Sequence, residues 1–433
     1  LAVPPALLRA VPHLAAFLPG WRLLPGGEAS PGTRLAGLAE VCGPRPPPGR
    51  LLLVLSEGPW RAPRFGQRWQ PVGLVLAESP AGLRDPVELA LARPEPGLPA
   101  PIEVPGFPPE AAARILAASR FADPFHRRPW SAAEALALLA EWREAEAANR
   151  RIVAATGLEV FKRGRMRGRL ASEAGPPRVF QRASAALGFA AARHGAVAVW
   201  AAAMPAGMPA RAAAAGVPLV QVEDGFIRSA GLGVQLAPAL SLVLDAAGAH
   251  FDPSRPSELE GLLAGATFSP ALLARAARLR RRLIEGGVTK YNLAGAAPGF
   301  VPPAGRRVVL VCGQVEDDAS LRRGGGDIRT NQDLLRAARR TDPDAFLVYK
   351  PHPDVEAGMR RGAVRPEALA VMADHVAAGV PIAPLYAVAD EVQVMSSLAG
   401  FEALLRGKRV VCWGQPFFAG WGLTEDRAPI QRR

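Results

Sequence analysis

Short apolar runs separated by helical stretches constrain this chain more than any other feature. They fall at Ala196–Trp200, Leu219–Val222, Leu240–Leu244, Val308–Val311, Phe346–Val348 and Arg409–Trp413. Strands that alternate with helices pack as parallel α/β layers. Upstream, residues 131–156 carry helical spacing, opened by Ser131 with Glu134 three residues later in the pattern of a capping box. The Pro/Gly-rich segment 297–307 lies between two strand sets and reads as an inter-domain linker. Two Rossmann-type domains facing a cleft are the economical architecture, over 121–300 and 301–433. In such folds ligands gather at the carboxyl ends of the strands.

Residues 1–120 are Pro/Gly-rich, with one strong strand signal at Leu51–Leu55. Aligning the chain to itself finds a repeat there. SEGPWRAPRFG (56–66) matches EDGFIRSAGLG (223–233) at a constant shift of 167 residues, pairing Gly58 with Gly225, Arg61 with Arg228, Gly66 with Gly233 and Pro71 with Pro238. The register reaches Asp85-Pro86 against Asp252-Pro253. Residues 1–120 thus read as a degenerate partial copy of the first half-module. Ser56 stands there in place of Glu223, so the copy is expected to be catalytically silent.

Composition narrows the class. Of 433 residues, 49% are hydrophobic and 21% charged, too apolar for a disordered chain and long enough for at least two cores. No stretch has the length and purity of a membrane-spanning helix. The first residues lack a basic leader and a clear cleavage site, so no signal peptide is expected, and the missing Met suggests a trimmed or incomplete start. Cys42, Cys312 and Cys412 make neither a disulfide framework nor metal-ligand spacing, which fits a reducing, cytoplasmic home. The net charge of +13 favours anionic partners, among them nucleotide sugars, an acidic glycan or an anionic membrane face. No zinc finger, RNP motif or basic heptad region supports nucleic-acid binding. Lysine occurs only at Lys162, Lys290, Lys350 and Lys408, all within the proposed transferase module. A site needing a compact ammonium would resist replacement by guanidinium.

Four clusters follow strands. EDGFIRSAGLG (223–233) brings Glu223, Asp224, Arg228 and glycines that let backbone approach a ligand, although a tight turn with Arg228 paired to Asp224 would read the same way. LVCGQVEDDASLRRGGGD (310–327) delivers Gln314 and the successive carboxylates Glu316, Asp317 and Asp318; these cannot share a face, and an acidic helix cap is the alternative. YKPHPDV (349–355) sets His352 between Pro351 and Pro353 beside Lys350, a pairing suited to a phosphate. VMSSLAGFEALLRGK (394–408) opens a helix with Ser396 and Ser397, where free amides favour an anion, and carries Glu402 along it within reach of ribose hydroxyls. Simple N-capping by the serines is the alternative there.

Taken together, EDGFIRSAGLG, GQVEDDAS, YKPHPD, MSSLAGFEALLRGK and PFFAGWGLTED resemble the capsule polysaccharide β-Kdo transferases of the KpsC type, over roughly residues 121–433. The resemblance implies a GT-B-like α/β fold, CMP-Kdo as donor and no metal or other cofactor. The implied acceptor is an anionic, Kdo-primed glycolipid at the cytoplasmic face of the inner membrane, with capsule assembly proteins as partners and peripheral membrane contact. Retention at the anomeric carbon would run by double displacement, with Asp318 as nucleophile and Glu223 as acid/base. His352 and the serines Ser396 and Ser397 would hold the CMP phosphate, with Lys350, Pro353, Gln314, Arg228 and Glu402 completing the substrate contacts. This chain departs from the family pattern at Phe418, at Gln393 and in the WAAAMP segment after Val199. The rival expectation is a non-catalytic scaffold of the capsule assembly complex that has kept the transferase fold.

Overall fold

The computed structural model describes residues 129–172, 174–232, 237, 239–295 and 298–430, together with the strands β1 (Ala2–Val3), β2 (Leu24–Pro25), β3 (Leu35–Leu38), β4 (Leu52–Glu57), β5 (Leu74–Ala77) and β6 (Phe121–Ala122). Two compact units divide the chain. One comprises Leu1–Val153 and Gly164–Arg178, the other Ala154–Arg163 and Val179–Arg433.

In the first unit the sheet runs β2-β1-β3-β4-β5, and only its last strand pair, β4 with β5, is antiparallel. β6 pairs antiparallel with β7 (Pro129–Trp130). Ser131 then caps the helix Ala132–Arg150 in a complete capping box with Glu134. That helix stops six residues short of the span expected from sequence, because residues 152–156 form β8 (Ile152–Thr156). Alanines give no period of their own, and Ile152 and Val153 are the strand-forming residues the helical spacing had absorbed.

The next sheet has the order β12-β11-β10-β8-β9, with β9 at Arg178–Val179, β10 at Ala196–Trp200, β11 at Leu219–Asp224 and β12 at Leu242–Asp245. Here too the final pair, β11 with β12, is antiparallel. The strand order is the same as in the β1–β5 sheet. β4 ends on Glu57 and β11 on Asp224, the residues that the 167-residue repeat pairs. The rest of the repeated motif, 58–66, and Cys42 lie outside the described residues.

The third sheet has the order β15-β14-β13-β16-β17-β18: β13 Val308–Cys312, β14 Phe346–Lys350, β15 His375–Val376, β16 Glu391–Val394, β17 Arg409–Cys412 and β18 Glu425–Asp426. Every pairing in it is parallel. Counted from β13, this is the 3-2-1-4-5-6 order of dinucleotide-binding sheets, whose ligand crevice opens where chain direction across the sheet reverses, between the first and fourth strands. β13 is buried along its whole length, and apolar clusters cover both faces of the sheet. β16 was not foreseen. Its sequence, EVQV, looks half polar, yet all four residues are buried because Glu391 accepts from Arg307 and Gln393 accepts from the Trp413 indole at 3.0 Å.

Strands β10–β12 of the second sheet and the whole third sheet belong to the same compact unit and are tied directly. Phe226, after β11, stacks on Phe417 with centroids 4.9 Å apart and planes 6° apart. Arg323 pairs with Asp252 at 2.6 Å, and Arg406 donates to the Val288 carbonyl at 2.9 Å.

Candidate active site

A cavity of about 780 Å³ lies between these two halves, at the carboxyl ends of β11, β13, β14 and β16. Its lining includes Glu223, Arg228, Gln314, Asp318, Lys350, His352, Pro353, Ser396, Ser397 and Glu402. These ten candidate residues from the sequence motifs therefore line one space.

The floor is the crossover between β13 and β16. Gln314, just after β13, donates through Nε2 to Ser396 Oγ at 3.0 Å and to Ser320 Oγ at 2.9 Å, while its Oε1 accepts from Ser396 N at 3.2 Å. Gln314 thus fixes the serine loop and does not wait unpaired for a ligand. Ser397 Oγ accepts from Ala399 N at 3.3 Å, at the start of the helix Ala399–Leu405. Gly407, at φ +71°, ends that helix in a left-handed turn, as expected of a glycine past a helix end.

Of the three successive carboxylates, each goes its own way. Glu316 accepts from Asn331 N at 2.8 Å and caps the helix Asn331–Thr341 from outside the cavity. Asp317 stands at the cavity's exposed rim, where it pairs with Arg360 at 3.0 Å. Asp318 lines the cavity and is the N-cap of the helix Ala319–Gly324, accepting from the amide and hydroxyl of Ser320. Its capping and its place in the cavity coexist, because both bonds from Ser320 fall on one carboxylate oxygen, Oδ2.

His352 is not merely held extended between prolines. It caps the short helix Pro353–Glu356, its Nδ1 accepting from Asp354 N at 3.1 Å. Burial first, then the positive charge of Lys290, pushes its pKa down to about 3. The ring is therefore neutral, and with Nδ1 accepting, the proton sits on Nε2 as a donor. Lys350 gives two of its three donors to Glu356 Oε2 at 2.7 Å and the Pro351 carbonyl at 2.9 Å.

On the opposite wall, Glu223 is the last residue but one of β11. Its Oε1 accepts from Asp224 N at 3.1 Å, and its Oε2 is sealed from solvent with no hydrogen bond. Burial raises its pKa from 4.5 to about 7. Arg228 is committed to Asp224 Oδ2 at 2.6 Å, Ser229 Oγ at 3.0 Å and the Ala237 carbonyl at 3.2 Å, so the tight-turn reading of this motif describes its geometry. Gly225 is required there: a Cβ would lie 2.9 Å from the Ser241 carbonyl carbon. Glu402 is also taken up internally. Its oxygens accept from Lys290 N at 2.6 Å and Tyr386 Oη at 2.9 Å, so it braces the 289–292 loop where a ribose contact had been expected.

Several lining residues went unnoticed in the sequence: Lys290, Tyr291, Phe226, His250, and the pair Lys162 and Trp200, whose ammonium and indole ring lie 4.1 Å apart. Scarcity of lysine was the one signal pointing at Lys162 and Lys290; Phe226 lies inside EDGFIRSAGLG and Trp200 opens WAAAMP, whereas Tyr291 and His250 sit in no motif. Among the described residues no set of three or more His, Cys, Asp or Glu side chains is gathered as metal ligands, and no helix is long and apolar enough to cross a membrane.

This strand-end constellation has counterparts. The profile of the family described as capsule polysaccharide biosynthesis protein matches residues 195–292 and 281–433, more than half of the chain. The chain belongs to that family. It is 48% identical over 217 residues to the capsule polysaccharide modification protein LipA of Neisseria meningitidis serogroup B, a match covering 50% of this chain and 31% of LipA. To the lipopolysaccharide-processing protein LpsZ of Rhizobium meliloti it is 44% identical over 220 residues, half of each chain. The chain thus spans half or less of these curated relatives. Two structures from Thermosulfurimonas dismutans KpsC share the fold. The β-Kdo 2,7 transferase aligns with TM-score 0.52 and 32% identity over 65% of this chain and 85% of its own. The β-Kdo 2,4 transferase aligns with TM-score 0.54 and 29% identity over 65% and 86%. The fold is mixed α/β with parallel sheets, similar to that of these Kdo transferases.

Proposed function

We propose that this chain is a retaining glycosyltransferase that moves Kdo from CMP-Kdo to a Kdo-primed glycolipid in capsule linker synthesis. One observation carries the reading: Asp318, Glu223 and His352 line a single cavity at the switch point of a nucleotide-binding sheet in a chain shaped like Kdo transferases. In the first step an Asp318 oxygen bonds to the anomeric carbon as the carbon–oxygen bond to CMP breaks. The leaving phosphate takes the electron pair, and His352 Nε2–H with the Ser396–Ser397 loop stabilises it. In the second step the acceptor hydroxyl attacks that carbon, Asp318 departs and Glu223 takes the hydroxyl proton. A group whose pKa lies at about 7 suits that exchange. Residues 1–120 are proposed to be a reduced, inactive copy of the first half-module, consistent with the shared strand order.

The direct test is mass spectrometry of protein mixed with CMP-Kdo alone. One added Kdo residue on the peptide containing Asp318 is expected. Turnover with no adduct on that peptide under rapid quench, or an adduct elsewhere, overturns the nucleophile assignment. A scaffold role predicts no turnover at all.

Work at an anionic membrane face is part of the same proposal. The helix Pro270–Glu285 exposes Leu272, Leu273, Leu279 and Ile284, and it carries five arginines against one acid. Such a helix suits the interface of an anionic bilayer. Sedimentation with phosphatidylglycerol vesicles but not with neutral ones is expected, reduced by Arg278→Glu with Arg281→Glu. Equal binding to both vesicle types would contradict it.

A further inference from the structure

Most cations of the cavity are already occupied. Lys350 is held by Glu356, Arg228 by Asp224, Arg360 by Asp317, and Lys162 by Glu159 at 3.2 Å. Lys290 differs. Among the described residues no hydrogen bond or ion pair reaches its ammonium, which lies 5.3 Å from the centroid of the Tyr291 ring.

The backbone around it is held from both halves of the unit. Lys290 N donates to Glu402 at 2.6 Å, and its carbonyl accepts from the amides of Arg228 at 2.9 Å and Ser229 at 3.0 Å. Thr289 N and Asn292 N bond to each other's side chains at 2.9 and 3.3 Å, and Asn292 adopts φ +48° with its Nδ2 on the Ser229 carbonyl at 3.0 Å. Gly231 N closes on the Tyr291 carbonyl at 2.8 Å. A loop this firmly fixed presents a lysine whose charge is felt by Glu223, Asp224, Asp318 and His352 but paired with none of them. Glu223 Oε2 and Asp224 Oδ1 beside it are likewise unpaired. Fixed backbone with an uncommitted head group is how a binding site is built before its ligand arrives.

The reading of the donor as a CMP-activated 2-keto sugar acid, on which this inference rests, supplies a ligand. Such a donor has a carboxylate on the anomeric carbon itself. Bringing that anion between Asp318 and Glu223 is opposed by like charge unless a cation is already there. We propose that Lys290 takes the donor's sugar carboxylate and is the residue that makes this site selective for acidic sugars. The carboxylate pairs with the ammonium while the phosphate occupies the His352 side, next to Tyr291, whose ring meets that of His352 edge-on at 5.8 Å.

The test compares wild type, Lys290→Met and Lys290→Arg in kinetics with CMP-Kdo and with its carboxamide analogue, and measures CMP as a product inhibitor. A charge-assisted hydrogen bond of ordinary strength corresponds to about ten- to a hundredfold. Wild type should prefer the carboxylate donor over the carboxamide by that factor in kcat/KM. Lys290→Met should lose the preference while its CMP inhibition constant stays within about threefold, and Lys290→Arg should recover part of it. Unchanged preference in Lys290→Met, or CMP affinity falling in step with donor use, overturns the assignment. Absence of turnover by wild type with CMP-Kdo instead refutes the proposed function on which it rests.

Discussion

Replacing Glu223 by Gln separates the two consequences of burying a carboxyl group at the end of β11. The side chain keeps its shape and its acceptor for Asp224 N, but the ionisation is gone. In the wild type burial lifts the pKa from 4.5 to about 7, a difference of roughly 3 kcal/mol. Folded protein therefore holds this proton more tightly than unfolded protein does. The resulting stabilisation is complete below pH 4.5 and is lost as pH rises through about 7. The difference in melting temperature between Glu223→Gln and wild type should grow by several degrees in the variant's favour between pH 5 and 8.5. Transfer should move the other way. Wild-type kcat/KM should fall about tenfold per pH unit below about 7, as the carboxylate that receives the acceptor proton becomes protonated. The Gln variant should be slower by a factor on the order of a hundred or more. Scanning fluorimetry and initial rates across the same buffers read both effects. Melting curves of the two proteins that stay parallel over this range would refute the burial reasoning, whatever the rates do.

Asp318→Asn keeps an oxygen to cap Ser320, so the protein should fold and bind CMP within about tenfold of wild type, yet turn over no donor; calorimetry and product assays check this. His352→Asn can still cap Asp354 but lacks the Nε2 donor, so CMP should bind at least about tenfold more weakly. Because the imidazole titrates only at about 3, that ratio should be the same at pH 5.5 and 7.5; a ratio that widens at low pH would mean a charged ring. Glu402→Ala strips the acceptor from Lys290 N and Tyr386 Oη and should cost about 2–4 kcal/mol in urea unfolding, whereas a residue serving only ribose would leave stability unchanged.

How far this site can be read from sequence depends on whether a signal is local. Asp318 and His352 each follow an apolar strand within six residues, and Ser396 stands in a serine pair just before a helical run, so a chain-order reading finds them. What brings them together is the strand order around β13 and β16, a pairing between segments some eighty residues apart, and no local pattern encodes it. β16 escaped notice because Glu391 and Gln393 are made tolerable in the core by Arg307 and Trp413, partners distant in sequence. Arg228 and Glu402 were legible as polar residues in motifs, but not as residues already paired with their own chain. Lys290 stands in no motif and owes its position to contacts from Arg228, Ser229 and Glu402, so only its rarity marked it.

The central claim is tested most directly by the anomeric configuration of the product. Protein, CMP-Kdo and a synthetic Kdo-primed acceptor should yield an acceptor extended by one Kdo whose linkage, read by nuclear magnetic resonance, is β, with CMP released in equal amount. An α linkage, or CMP release without extension of the acceptor, would contradict a retaining transfer through Asp318.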